Sequence, residues 1–471
     1  MNPSKSPVLP MAPRHLQLLV VVACITLAAV TGSGKSAPIR ATVEVEETVY
    51  QYEPANNGAG PMWCSGSTSL VRIGEEVYAS GLETVAGAKP LNNCRWVLWR
   101  RSAGGWQRWA VDESGLTREP APLATVRGRD LFLSGNPALN PGKEGGGPAR
   151  PELWQWTPSS GSTPRRLLPE WQGAPKFSEH SYRTFIADGV GGAVMLFQNI
   201  DYTHAEWCFR DPSGNWSAQG QLRWPWGVDY AKPQPIRICY PTAALKGKSV
   251  HFFGVSDITE PNPAWREYKR QLTGREWDYD FRRLYYTWTP DVTREPFADW
   301  VEVASREATC GWMSPCDLWV DSPDTVQLLW KERALDERLR EKFFPQARQS
   351  QSLVWARVKQ GRVIQRRILM ESREDAPGPV VNAARFHGTP DGRLFVVRHV
   401  SGDGGGANEL VELGTDGNTL SVTRLTFAKP FTQFFTASTR AGSSRSGWVD
   451  LLGVQAGAEN AIGYARVRLT H

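Results

Sequence analysis

STSLVRIGEEVYASG, residues 67–81, reads as a short apolar strand, a tight turn at Gly74 and a second apolar strand. The same phrase returns along the chain as PLATVRGRDLFLSG (122–135), SYRTFIADGVGGAVMLFQ (181–198), PTAALKGKSVHFFGV (241–255), PCDLWVDSPDTVQLLW (315–330), NAARFHGTPDGRLFVVRHV (382–400) and TASTRAGSSRSGWVDLLGV (436–454). Its period of roughly 50–75 residues is that of blade-type repeats carrying insertions.

Working outward, each repeat continues into a third strand of alternating character: CRWVLWRR (94–101), PELWQWTP (151–158), HAEWCFRD (204–211), LYYTWTP (284–290), SLVWARV (352–358), NELVELG (408–414) and IGYARVRL (462–469). A weaker fourth strand follows in the first six repeats, from WQRWAV to LSVTRLTF, but the last repeat reaches His471 without one. The alternating segment ATVEVEETVYQY (41–52) stands ahead of the first repeat and is expected to supply the missing outer strand, leaving no open sheet edge. The expected fold is all-β: a seven-bladed β-propeller of four-stranded antiparallel blades, with six or eight blades as alternatives. Packing between blades is then the first use of the Trp and aliphatic residues in these strands.

The composition agrees. The chain of 471 residues is 41% hydrophobic and 22% charged, with 21 Trp, 44 Gly and 34 Pro, which suits a turn-rich β protein with a substantial core. The net charge of +6 is spread along the chain; no Lys/Arg block with interleaved aromatics occurs, so nucleic-acid binding is not indicated.

The first 36 residues are set apart from the propeller, expected over 37–471. Lys5, Arg14 and His15 precede an apolar run at 18–30 and small residues at 31–34, the layout of a secretory signal and short for a membrane span. Val21-Val22-Ala23-Cys24 resembles a lipobox, which would make lipid on Cys24 the membrane attachment; the apolar residues after Cys24 argue against it. An exported chain with six further cysteines is expected to pair them, the local choice being Cys64–Cys94, Cys208–Cys239 and Cys310–Cys316. No CxxC or HxxxH spacing marks a zinc site, and no metal or cofactor is expected.

Topology sorts the loops. Turns after strands one and three share one face and are short and Gly-rich, as at Gly74, Gly128, Gly247 and Gly392. Insertions gather after strand two: 256–282 in blade four, 331–348 with helical spacing in blade five, and Gly-rich stretches 136–150 and 399–407 in blades two and six. The elaborated face is where function is expected. Residues opening strand one or closing strand two surround the axis there: His180, Tyr182 and Arg183, with Asp201, Tyr202 and His204, from blade three; Arg237, Tyr240 and Asp257 from blade four; Trp312, Asp317, Lys331 and Glu332 from blade five; Arg398 and His399 from blade six; and Trp63 and Glu83 from blade one. A His beside Tyr and Arg suits proton abstraction next to an acidic sugar: Arg offsets the carboxylate, His takes the proton and Tyr donates to the leaving oxygen. Satisfied polar residues lining an ordinary axial pocket are the plainer explanation of the same list.

The repeat resembles the BNR-repeat or sialidase-like propellers. Arg210-Asp211-Pro212-Ser213-Gly214-Asn215-Trp216 is a partial copy of their Asp-box, S-x-D-x-G-x-x-W, at the expected turn after strand three. The Phe-Arg-Ile-Pro signature of sialidases is absent, as are WD and kelch signatures. The resemblance implies an exported carbohydrate-active protein. Lyases of this architecture use His and Tyr with Arg, roles that His180, Tyr182, Arg183 and Tyr240 would fill; the remaining axial residues would bind substrate, with a polysaccharide as partner. A hydrolase would need paired carboxylates, from Glu83, Asp201, Asp257 or Glu332. A non-catalytic propeller binding glycan or protein, and a structural scaffold, are the readings from other classes.

Overall fold

The computed structural model describes residues 39–471 apart from 64, 65 and 162. The expected signal segment, with Cys24, lies outside the described residues. The described chain forms seven four-stranded antiparallel blades, numbered in chain order, with strands in consecutive order outward from the axis. They span 70–111, 123–167, 183–223, 238–305, 312–373, 380–425 and 431–470. The outer strand of the seventh is Arg40–Gln51, paired antiparallel with Ala461–Thr470 from Arg40 opposite Thr470 to Gln51 opposite Ala461. The alternation of that strand decides its seat: Ala41, Val43 and Val45 pack toward the flanking apolar clusters, while Glu44 between them pairs with Arg466 at 3.1 Å.

The core is divided among the blade interfaces. Each interface between sequential blades, and that between the seventh and the first, holds its own apolar cluster. This explains why two expected disulfides are absent. Cys208 packs between blades two and three, whereas Cys239 packs between blades four and five. Cys316 lies between blades five and six, and Cys310 sits in a polar cluster beside Lys269. These four and Cys94 are buried free thiols; Cys64 lies outside the described residues.

The loop expectations hold in part. Residues 399–407 are not a loop: strands Leu394–Gly402 and Gly405–Leu413 run through them. A tight turn at Asp403-Gly404 suffices because Gly405 takes φ +90°, in the region glycine enters without strain. The longer insertions of blades four and five carry helices Pro263–Thr273 and Glu337–Phe343.

The plain face is plugged. The loop joining the first two strands of blade seven turns into the axis at 438–443, where Ser438, Arg440, Ala441 and Ser443 are buried. Arg440 O accepts from Ala187 N at 2.8 Å and Ala441 O from Thr125 N at 2.8 Å. Gly442 has φ +84°, and a Cβ there would lie 1.7 Å from Thr125 O, so no other residue fits. The Arg440 guanidinium pairs with Asp317 Oδ1 at 2.7 Å and donates to Gly66 O at 3.0 Å and Ala243 O at 3.1 Å. Asp317 Oδ2 in turn accepts from Phe386 N at 2.9 Å. One ion pair thus joins the plug to blades four, five and six.

Breaking a buried pair from one side strands a charge, so Arg440→Ala is expected to lower unfolding free energy by about 3–5 kcal/mol, and Arg440→Met with Asp317→Leu to recover most of it. Urea denaturation monitored by Trp fluorescence measures both.

Candidate functional site

On the opposite, elaborated face the axis opens into a cavity of about 520 Å³. Its walls are chiefly Met62, Trp63, Tyr240, Phe281, Trp312 and Gln433, drawn from the segment before blade one and from blades four, five and seven. Among the described residues, no Asp or Glu lines it. Apolar walls with a few polar groups are the usual make-up of a small-molecule site.

Tyr240 is the most constrained of these side chains. Blade four's first strand bulges between Cys239 and Thr242, leaving Tyr240 at φ +46°. A bulky L-residue reaches that region only when its surroundings hold it there, commonly at functional sites. Here the surroundings are aromatic: ring centroids of Trp63, Tyr182 and Phe281 lie 6.2, 5.6 and 6.3 Å from that of Tyr240.

Behind this wall stands a titratable group cluster from blades two to four. The ring of His180 lies 5.2 Å from Tyr182 and 6.5 Å from Trp63, and its side chain is 33% exposed. Its Nδ1 is 3.2 Å from Arg118 Nη1 and 3.4 Å from Glu119 Oε1. Arg118 only donates, so it favours a bare Nδ1 with the proton on Nε2; Glu119 only accepts while ionised, so it favours the reverse. The ring therefore sits between partners that select opposite tautomers. Tyr182 is buried beside Asp257. Burial, reinforced by the Asp257 charge, holds the Tyr182 hydroxyl well above its ordinary range, so it stays protonated.

Arg237 closes the back of the cluster. Its Nη2 meets Asp257 Oδ2 at 2.5 Å, and its guanidinium carbon stands 4.0 Å from the ring centroid of Tyr202 and 5.8 Å from that of Tyr279. Burial raises the Asp257 carboxyl above its ordinary value while Arg237 opposes the rise. The Asp257 carboxylate and the Tyr202 ring occupy the guanidinium, so Arg237 presents no open cation.

The structure thus brings together Trp63, His180, Tyr182, Tyr202, Arg237, Tyr240 and Asp257, with Trp312 across the cavity. Lys331 stands 5.7 Å from the Trp312 ring centroid. Other sequence candidates make different contacts. Arg183 is buried and donates to Pro120 O, and Asp317 anchors the plug. Glu83 is bound by Arg95 at 2.5 Å and Arg108 at 3.0 Å on blade one. Glu332 is held by Arg306 at 2.5 Å and by Trp330 Nε1 at 2.9 Å. Arg398 pairs with Glu409 at 2.7 Å, His204 contacts Glu206 at 3.1 Å, and His399 meets Asn382 at 3.0 Å. Asp201 is an exposed turn residue at φ +44°.

Sequence reasoning passed over Arg118, Glu119 and Phe281. Arg118 and Glu119 open blade two just as His180 opens blade three, so the rule of reading residues ahead of strand one, applied to every blade, finds them. Phe281 lies inside an insertion, and its place depends on that insertion's fold. Asn262 caps helix Pro263–Thr273 through bonds from Ala264 N and Trp265 N at 3.0 and 3.2 Å. Lys269, buried under the helix, pairs with Glu260 at 2.8 Å, Asp278 at 3.0 Å and Asp336 at 3.6 Å. Arg282 pairs with Glu260 and Glu307, each at 2.8 Å, and the helix rests on the second insertion through Trp265 against Phe344 at 5.4 Å. This network fixes the run 277–281, and with it one wall of the cavity.

No family profile matches the chain, and no curated protein sequence matches it. Similar solved structures include the polysaccharide lyase Uly1, at 10% identity over 91% of this chain and 99% of that one with a TM-score of 0.49. An α-L-arabinanase of Penicillium chrysogenum shows 11% identity over 90% and 98%, with a TM-score of 0.44. An α-L-arabinofuranosidase of Fusarium graminearum, a mutant in complex with an iminosugar inhibitor, shows 9% identity over 90% and 98%, also at 0.44. At these identities the chemistry of the site is read from its own residues.

Burial holds the Asp280 carboxyl up to about 7, with Arg282 opposing from 3.5 Å. Its ordinary value is 3.8, so between these limits the folded protein keeps a proton that the unfolded chain has lost. That stabilisation is complete below the ordinary value and gone once pH rises through about 7. Asp280→Asn is neutral throughout; its stability relative to wild type is expected to climb by about 4 kcal/mol across this window and then level off, as urea denaturation in a pH series will measure.

Proposed function

We propose that this propeller is a carbohydrate-active protein that takes an acidic polysaccharide into the aromatic cavity of its elaborated face and cleaves it by β-elimination. The observation that carries the reading is Tyr240, held at φ +46° on the wall of a cavity lined by no carboxylate of the described residues, with the partly exposed ring of His180 beside the same Trp63. Trp63, Phe281 and Trp312 offer flat apolar faces to sugar rings. Paired-carboxylate hydrolysis needs two carboxyls facing the scissile bond, which the described residues lining the cavity do not supply.

In the elimination, His180 as base removes the proton on the carbon next to the uronate carboxylate. The released electron pair forms a carbon–carbon double bond, the glycosidic carbon–oxygen bond breaks, and the Tyr240 hydroxyl protonates the leaving oxygen. No water is consumed. The tautomer of His180 with its proton on Nδ1, toward Glu119, is the form that leaves Nε2 open as base. The partial Asp-box supports kinship with BNR-repeat propellers: Asp211 Oδ1 accepts from Ser213 N at 2.9 Å and Asn215 N at 3.0 Å, bracing the turn. Export, on the apolar run at 18–30, belongs to the same proposal, since the substrate is an extracellular polymer.

A second reading, a propeller that binds glycan without cleaving it, is favoured by one observation: Arg237, whose guanidinium lies 5.4 Å from the Tyr182 ring centroid, is closed off by Asp257 and Tyr202.

The two readings part in a turnover assay on a panel of uronate polysaccharides, following ultraviolet absorbance of the unsaturated product. Elimination is expected, with Tyr240→Phe and His180→Ala each lowering kcat by about 10²–10⁴-fold, and Trp63→Ala acting chiefly on KM. Binding without unsaturated product from any polymer overturns elimination and leaves the binding reading standing.

A further inference from the structure

The axial cavity does not end at Trp312. That side chain also lines a cavity of about 690 Å³ beside the blade-four insertion, with Trp277, Tyr279 and Phe281, and a smaller one of about 220 Å³ between blades five and six. Three adjoining hollows sharing one indole describe a groove, with Trp312 at its junction and Trp277, 64% exposed, on its rim.

The smaller hollow differs in character. Lys331, Arg333, Gln351, Ser352 and Asn382 line it. The one carboxylate on its wall, Glu332, is already neutralised by Arg306 at 2.5 Å and Arg366 at 3.3 Å and bonded by Trp330. Lys331 is half-buried, donates to the backbone oxygen of Asn382, and has no ion-pair partner among the described residues. Its situation contrasts with Lys269, Arg72 and Arg440, buried cations that each meet a carboxylate within 3 Å. Burial lowers the Lys331 ammonium from its ordinary value, against the opposing effect of Cys316 and with that of Arg385, so an incoming anion offsets a cost that no carboxylate among the described residues meets.

Resting on the carbohydrate reading above, we infer that the hollow bounded by Lys331 and Asn382 is an anion subsite, taking the sulfate or carboxylate of a sugar adjacent to the one held against Trp63 and Tyr240, with Trp312 between the two. The substrate is then a polymer gripped at an internal position, and its charge is recognised away from the bond that breaks. This supplies the open cation that Arg237 does not.

Affinity of wild type and Lys331 variants for sulfated uronate polysaccharides, for the same polymers desulfated, and for the same polymers with carboxyls reduced tests this by calorimetry over a salt series. A charge-assisted contact makes Lys331→Met bind about 10–100-fold more weakly, flattens its salt dependence, and leaves affinity unchanged for the polymer lacking the recognised group. Whichever chemical removal abolishes the wild-type advantage identifies the group. Lys331→Arg retains most of the affinity, and a thermal melt unchanged from wild type shows that Lys331→Met is folded. Equal affinity and salt dependence in wild type and Lys331→Met overturns the subsite while the glycan reading stands. Failure of wild type to bind any polymer overturns that reading, and the subsite with it.

Discussion

The ion pair between Arg440 and Asp317 on the propeller axis is the contact on which the remaining arrangement depends. A ring of blades alone leaves a channel open at both ends. Here one guanidinium, at 2.7 Å from its carboxylate, draws the blade-seven loop into that channel and joins it to blades four to six. The pair is buried, so desolvation makes either charge alone costly and both together specific. Its consequence is geometric: the axis is filled from the plain face at 438–443, and the aromatic cavity lies on the other.

The remaining buried charges divide by what they hold. Arg72 with Asp450 ties the inner turn of blade one to blade seven at 2.6 Å. Lys269, Glu260 and Arg282 fix the blade-four insertion and so place Phe281. Arg237 with Asp257 backs the Tyr182 wall. Each of these is satisfied within the protein and positions a surface. His180 stands between Arg118 and Glu119, and Lys331 meets a backbone oxygen rather than a carboxylate among the described residues.

Much of this was legible in the sequence. Strand alternation with Gly turns yielded seven blades and the closing strand, expected at 41–52 and found at Arg40–Gln51, because the period of two and the turn chemistry are local properties. The rule that residues opening strand one ring the axis also brought His180, Tyr182 and Tyr240 to one place. It failed to separate Tyr240 from Asp317, because which way such a residue faces depends on bulges. Register shifts fall between Cys239 and Thr242, Pro315 and Asp317, and Val381 and Ala383, and one extra residue moves every later side chain to the other side. The axial plug reads in sequence as an ordinary Ser/Gly loop, since Arg440 and Asp317 are 123 residues apart. Cysteine pairing failed for a related reason: proximity along the chain does not reveal that Cys208 and Cys239 serve different blade interfaces.

The central claim is that the closed axis leaves a single working face built around Trp63, Tyr240 and Trp312. Hydrogen exchange read by mass spectrometry, with and without a saturating uronate polysaccharide, addresses it most directly. The account predicts slower exchange in peptides spanning 60–63, 240, 274–281, 312–314 and 331, and no slowing at 187–190 or 439–445 on the plugged face. Slowing at the plugged face, or binding that leaves the peptides of Trp63 and Trp312 unchanged, would contradict it.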